Sequence, residues 1–334
     1  MVFIYYFLGE KTMKKFIKIM TLTLALAFVF MTCTALSSCT PKTKYTVGIC
    51  QLVSHVALDA ATEGFKQAVI DKLGAENVTF DYQNAAGEPT VCTTIVNSFV
   101  SKNYDLIMAN ATSALQAAAN ATTTIPILGT SITEYGVALS IDNFNGTVGG
   151  NISGTSDLAP LTEQAQMMLD LFPEAAKFGL LYCSAEQNSA YQVKVVKEYL
   201  ESKGKSATFY SFADSNDIQS VANKAAADSD VIYVPTDNTA ASSTEIINTI
   251  SRETKTPVFT GEEGICKGCG TFTLSISYYE IGYKTGEMAA EILSGSSDVS
   301  KMPIAYDQHP VKKFNKENCE FFGINVPSDY VEIQ

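Results

Sequence analysis

At 334 residues the chain is longer than one typical core requires and suits two lobes of ordinary size. With 46% hydrophobic and 17% charged residues it has a globular composition, which speaks against a disordered chain. A formal net charge of -12, with no basic run in the body of the chain, argues against nucleic acid as a partner, and two histidines, His55 and His309, are too few for a histidine-rich metal site.

The first element in chain order is a targeting segment. Lys14, Lys15 and Lys18 precede an apolar run from Ile19 to Met31, and small residues follow. The run is short for a membrane span and ends in Leu36-Ser37-Ser38-Cys39, so residues 1–38 resemble a bacterial lipoprotein signal peptide. Cys39 would then be the lipidated first residue of an extracytoplasmic protein anchored to the cell membrane, followed by a tether over 39–44. Either Met1 or Met13 serves as a start for such a signal. Without residues 1–38 the formal charge becomes about -15.

From Lys44 the pattern alternates strand and helix. Strands are predicted over 45–50, 78–82, 105–109 and 125–128, and helices over 58–73, 89–100 and 112–120. Alternation of this kind gives a parallel sheet flanked by helices. The scheme then repeats. Lys44-Tyr45-Thr46-Val47 has a counterpart in Lys177-Phe178-Gly179-Leu180, Val78-Thr79-Phe80 in Ala207-Thr208-Phe209, Leu106-Ile107-Met108 in Val231-Ile232-Tyr233, and Pro126 in Pro257. An offset held near about 130 residues means two similar α/β lobes, with a small-molecule site in the crevice between them.

The glycine-rich stretch Gly146–Asp157 reads as the first crossover and hinge, and a second crossover falls near Thr271–Ser277. The expected lobes are 45–155 with about 276–308, and 156–275 with about 309–334. A helix is predicted over 278–293 and a last one over 311–319. Besides Cys33 and Cys39, the cysteines Cys50, Cys92, Cys183, Cys266, Cys269 and Cys319 show no regular framework. Cys266-Lys267-Gly268-Cys269 lacks the further ligands of a zinc site, and Gly264, Gly268 and Gly270 mark it as a loop holding a structural or incidental pair. Glu262 and Glu263 read as an exposed acidic loop. No metal or cofactor is implied. Nucleotide-binding glycine fingerprints and the G-x-S-x-G elbow are absent, which argues against an enzyme.

The order of these features resembles the lipoprotein substrate-binding components of ABC transporters in the tryptophan/tyrosine-type branch. The resemblance covers about 45–326 and rests on Gln51-Leu52-Val53-Ser54-His55, Asp81-Tyr82-Gln83-Asn84, Ala109-Asn110-Ala111-Thr112-Ser113, Gly154-Thr155-Ser156-Asp157, Asn188-Ser189, Tyr233-Val234-Pro235-Thr236-Asp237-Asn238 and Tyr278-Tyr279-Glu280. It implies a type I periplasmic-binding-protein fold and a monomer that captures a small zwitterion, an aromatic amino acid first, for an ABC permease and its ATPase. A sensor lipoprotein docking on a receptor, or a binder of another amino acid or solute, is the alternative. The chain departs from the family at Glu134, where aspartate is usual, and at Glu262-Glu263-Gly264 with the two cysteines.

A free amino acid needs a partner for each of its charges. Thr112 and Ser113, and Asn188 and Ser189, open helices whose N-termini can hold a carboxylate, although the same residues serve as N-caps. Asp157 and Asp237 are the candidate ammonium partners, with Thr236 and Asn238 beside them at the end of the Val231–Val234 run. Asp237 could instead cap the following helix. In the ligand-binding reading, Asp237→Ala abolishes tight binding and leaves the fold intact. Gln51 follows the first strand on the same side of the sheet. His55, Tyr135, Tyr278 and Glu262 form a second tier of candidates, the tyrosines as walls for an aromatic side chain.

Overall fold

Short β-branched and aromatic runs alternate with amphipathic segments throughout Tyr45–Gln334, and each run takes its place in one of two sheets. The computed structural model describes residues 44–334 apart from Gln308; the expected signal peptide and Cys39 lie outside the described residues. The first sheet takes β1 (Tyr45–Gln51), α1 (Val56–Leu73), β2 (Val78–Asn84), α2 (Pro89–Ser101), β3 (Leu106–Asn110), α3 (Thr112–Ala121), β4 (Ile127–Ile132), α4 (Tyr135–Ala138) and β5 (Ile152–Ser156). The second takes α5 (Leu161–Leu171), β6 (Lys177–Cys183), α6 (Gln187–Ser202), β7 (Ser206–Phe212), α7 (Ile218–Asp228), β8 (Val231–Val234), α8 (Asn238–Ala241), α9 (Thr244–Thr254), β9 (Val258–Thr260), α10 (Glu263–Cys269) and β10 (Phe272–Ser275). The chain returns to the first lobe with α11 (Tyr278–Leu293) and β11 (Ala305–Tyr306), then ends in the second with β12 (Val311–Phe314), α12 (Lys316–Phe322) and β13 (Val331–Glu332).

The strand orders are β2-β1-β3-β4-β5-β11 and β7-β6-β8-β9-β10-β12-β13. The slots match one for one from β2/β7 to β5/β10, which is the physical form of the sequence repeat. Pairing is parallel except where β12 runs antiparallel to β10. In each lobe the order reverses beside the first strand, at β1/β3 and β6/β8, and the strand ends there open a crevice.

Three details differ from the sequence reading. Most of Gly146–Asp157 is a turn followed by β5, paired to β4, so the chain leaves the first lobe only after Asp157. Val311–Phe314 is a strand between β10 and β13 instead of the start of a helix, because Asn315 caps α12 through the Asn318 amide and sets the helix start after it. The segment around Cys266 and Cys269 is helix α10, not a loop: Glu262 caps it, Ile265 and both cysteines turn inward, and Gly268 leaves room for Thr244.

Helices cover both faces of each sheet. Phe99, Val96 and Leu115 of α2 and α3 pack on one face of the first, and Phe65, Val69, Met288 and Ala289 of α1 and α11 on the other. The second lobe has the same layering, with Val193, Val196 and Leu200 of α6 opposed by Ala222, Ile247 and Ile250 of α7 and α9. The α1–α11 contact is close because glycines let the backbones approach: a Cβ on Gly282 would overlap the Ala61 carbonyl, and one on Gly64 the Tyr279 carbonyl. Gly282→Val should therefore lower unfolding stability by about 1–3 kcal/mol, read by urea denaturation. A loss under about 0.5 kcal/mol would mean that the helices separate without cost.

Candidate functional site

Pro235 stops β8 and delivers Thr236, Asp237 and Asn238 to the crevice. The start of α6 clamps this tip. Asn188 Nδ2 and Gln192 Nε2 donate to the Thr236 carbonyl at 3.1 and 3.0 Å, and the Thr236 amide donates to Gln192 Oε1 at 3.1 Å. Ser189, fully buried, also faces that carbonyl, at 3.4 Å. Asp237 spends both carboxyl oxygens on backbone: Cys183 N donates to one at 2.7 Å and Ala240 N to the other at 2.8 Å. Burial, with the Glu186 carboxylate nearby, pushes its pKa up to about 8. Glu186 in turn accepts from the amides and side chains of both Asn238 and Thr239 at 2.7–3.0 Å, which locks the opening of α8.

Across the cleft, β4 carries a bulge between Gly129 and Ile132. Ser131 there has φ 55, a left-handed conformation costly for a residue with a Cβ. Beyond it stand Thr133 and, at the end of β5, Asp157. Tyr278 donates its hydroxyl to Asp157 Oδ2 at 2.8 Å. Asp157 Oδ1, Ser131 Oγ and Thr133 Oγ1 are buried and have no hydrogen-bond partner. Buried polar atoms are normally paired, and these three line one common space. Burial raises the Asp157 pKa, and the hydrogen bond from Tyr278 offsets that in part.

These atoms meet in one enclosed cavity lined by Ser131, Thr133, Asp157 and Tyr278 on one side and Asn188, Thr236, Asp237, Asn238 and Glu262 on the other, with His55, Leu58 and Ile265 completing the wall. The space between the two walls, its mouth included, amounts to about 280 Å3. The lining holds acids and no lysine or arginine. Glu262 is 3% exposed, contrary to the exposed loop expected for it; it caps α10 through the Gly264 and Ile265 amides, and burial lifts its pKa to about 7. Glu263 points outward and pairs with Lys313.

Gln51, Thr112, Ser113, Ser189 and Tyr135 are not in the cavity wall. Gln51 is buried and braces the first loop, donating to Asp59 at 2.6 Å and accepting from Thr62 at 2.6 Å. Thr112 is buried and Ser113 half-buried at the start of α3. Tyr135 is packed over Gly129 and Gly154 and donates to the Thr155 carbonyl at 3.1 Å. Ser131 and Thr133 escaped the sequence reading; the strand-end rule that singled out Asp237 applies equally to the Gly129-Thr130-Ser131-Ile132-Thr133 run at the end of β4.

The lobes are shut on each other. Gln116 donates to Gln187 at 3.0 Å across the cleft, and His55 Nε2 lies 3.2 Å from Asn238 Oδ1.

The family model of the ABC transporter substrate binding protein matches residues 46–331. The chain belongs to that family. It is 35% identical over 268 residues to the tyrosine-binding protein of Clostridioides difficile strain R20291, covering 79% of this chain and 76% of the relative. A Streptococcus pneumoniae ABC domain solved in complex with L-Trp superposes with a TM-score of 0.83 at 26% identity, over 87% of this chain and all of that one. The ligand-free, open structure of a Clostridium difficile substrate-binding protein with adhesive properties gives 0.67 at 35% identity over the same shares. The substrate-binding protein described here thus agrees better in shape with the less similar, ligand-bound neighbour than with the open one, as closed lobes require.

Because Asp237 satisfies two buried amides, Asp237→Ala should cost about 1–3 kcal/mol of stability in urea unfolding. An unchanged midpoint would return Asp237 to a ligand-only role. The raised carboxyls also fix a pH trend. Between about pH 4, where such groups ionise in the unfolded chain, and their native values of about 7 for Glu262 and about 8 for Asp237, the native state binds more protons. Stability without ligand should therefore fall as pH rises across that window. Melting curves from pH 5 to 8 should show this, with a flatter trend in Glu262→Gln; equal slopes in both proteins would contradict it.

Proposed function

We propose that this substrate-binding protein captures a free aromatic amino acid, L-tyrosine or L-tryptophan, and hands it to an ABC permease from outside the cytoplasmic membrane, where the family acts. The observation that carries the reading is the cluster of orphaned oxygens. An ammonium has three N–H donors, and Asp157 Oδ1, Ser131 Oγ and Thr133 Oγ1 are three unpaired buried acceptors on one wall. Asp157 is the charged member, and Tyr278 holds it in place. In this reading Asp237 shapes the tip while Asp157 binds the ammonium. Leu58, Ile265 and the Tyr278 ring offer apolar surface to a side chain. The choice of an aromatic cargo draws on the named tyrosine-binding relative and the L-Trp complex. Anchoring by lipid on Cys39 and action as a monomer complete the proposal; no helix among the described residues is long and apolar enough to cross a membrane.

Closure brings both lobes onto one ligand, so ligand contacts shift the balance of open and closed forms. Asp157→Asn is the direct test. The amide can still accept from Tyr278, and it no longer buries a charge, so melting temperature without ligand should hold or rise. Calorimetric titration with L-tyrosine and L-tryptophan should show affinity reduced by about 100-fold or more, the scale of a lost buried charge pair. Wild-type affinity in this variant would move the ammonium elsewhere.

A further inference from the structure

His55 is part of two walls at once. It lines the enclosed cavity, and it also lines an outer, solvent-open hollow at the cleft mouth bounded by Ser54, Val56, Ser242, Thr244 and Gly264. Glu262 is shared by the two spaces in the same way. The imidazole comes from the first lobe and its hydrogen-bond partner, Asn238 Oδ1, from the second. Each side of this contact is fixed beforehand. Asn238 Nδ2 donates to Glu186 at 2.7 Å, which leaves Oδ1 as the atom presented across the cleft and makes Nε2–H of His55 the donor. On the other side, the loop leading to His55 is held by Asp59, which accepts from Gln51 at 2.6 Å and Ser54 at 2.7 Å, while the Asp59 amide donates to the His55 carbonyl at 2.9 Å. A contact built from two preorganised halves loses little entropy on forming.

We propose that His55 is a positioning residue that retains the ligand: its hydrogen bond to Asn238 closes the inner cavity against the outer hollow and slows escape. This rests on the ligand occupying the cavity proposed above. The side chain acts through closure and makes no demand on the ligand's own chemistry, so its effect falls on the dissociation rate.

Stopped-flow binding of L-tyrosine and L-tryptophan is the test. His55→Ala should speed dissociation by about tenfold and change association by less than about twofold, the scale of one hydrogen bond lost between shut lobes. His55→Gln, whose amide can still donate to Asn238, should restore most of the slow dissociation. Asn238→Ala should have a similar effect alone and add little to His55→Ala, because both remove the same bond. Unchanged dissociation in His55→Ala, or full additivity of the two alanine variants, would overturn the proposal; additivity would make His55 a direct ligand contact. If the wild type binds neither amino acid, the cargo reading fails, and the latch is then read without ligand from spin-label distances between the lobes. His55→Ala should deplete the short-distance population and His55→Gln restore it, whereas identical distributions in all three proteins would sink the latch.

Discussion

A carboxyl group sealed inside a protein with one oxygen unpaired is expensive, and Asp157 is in that position. Much of the surrounding architecture exists to hold it there. The bulge in β4 turns Ser131 toward it at the cost of a left-handed backbone, Tyr278 occupies one of its oxygens, and the second lobe seals the space from the far side. The other acids of the cavity differ in kind. Asp237 and Glu262 spend their oxygens on backbone amides and so belong to the walls.

The two-lobed α/β architecture was legible because it rests on periodicity and repetition, which survive even where side chains differ. The counterparts around Leu106 and Val231 occupy the same slot in their sheets, and the helix over 278–293 has the bounds that its pattern suggested. Other elements were less legible. Val311–Phe314 gains its strand character from pairing with β10, a partner about forty residues earlier that local propensity does not register. Helix α10 was hidden by its glycines; Gly268 is needed for close approach to Thr244 and does not break the turn.

Asp237 with Thr236 and Asn238 at a strand end, Asp157 in the hinge and Asn188 at a helix start were all singled out from the sequence and all line the cavity, but the sequence could not divide them by task. That division depends on which oxygens are already taken, a tertiary fact. Gln51 illustrates the limit. A polar residue at the end of the first strand satisfies the positional rule, yet its amide is consumed by Asp59 and Thr62, so it stiffens the loop that carries His55. Ser131 was within reach of the same positional rule, since it stands near the end of β4, but its left-handed backbone at the bulge is a tertiary feature.

The hydrogen bond between Tyr278 and Asp157 joins two residues that stand on two different crossings between the lobes: Asp157 is where the chain first leaves the first lobe, and Tyr278 is where it first re-enters it. It therefore ties neighbouring hinge strands side by side. Tyr278 is also the first residue of α11, whose glycine-lined contact with α1 is among the tightest in the molecule. A positive charge resting on Asp157 would fix that carboxyl, and through Tyr278 the root of the helix behind it. A ligand held there would do more than fill the cleft; it would stiffen the axle on which the lobes turn, and occupancy would become a mechanical property of the hinge.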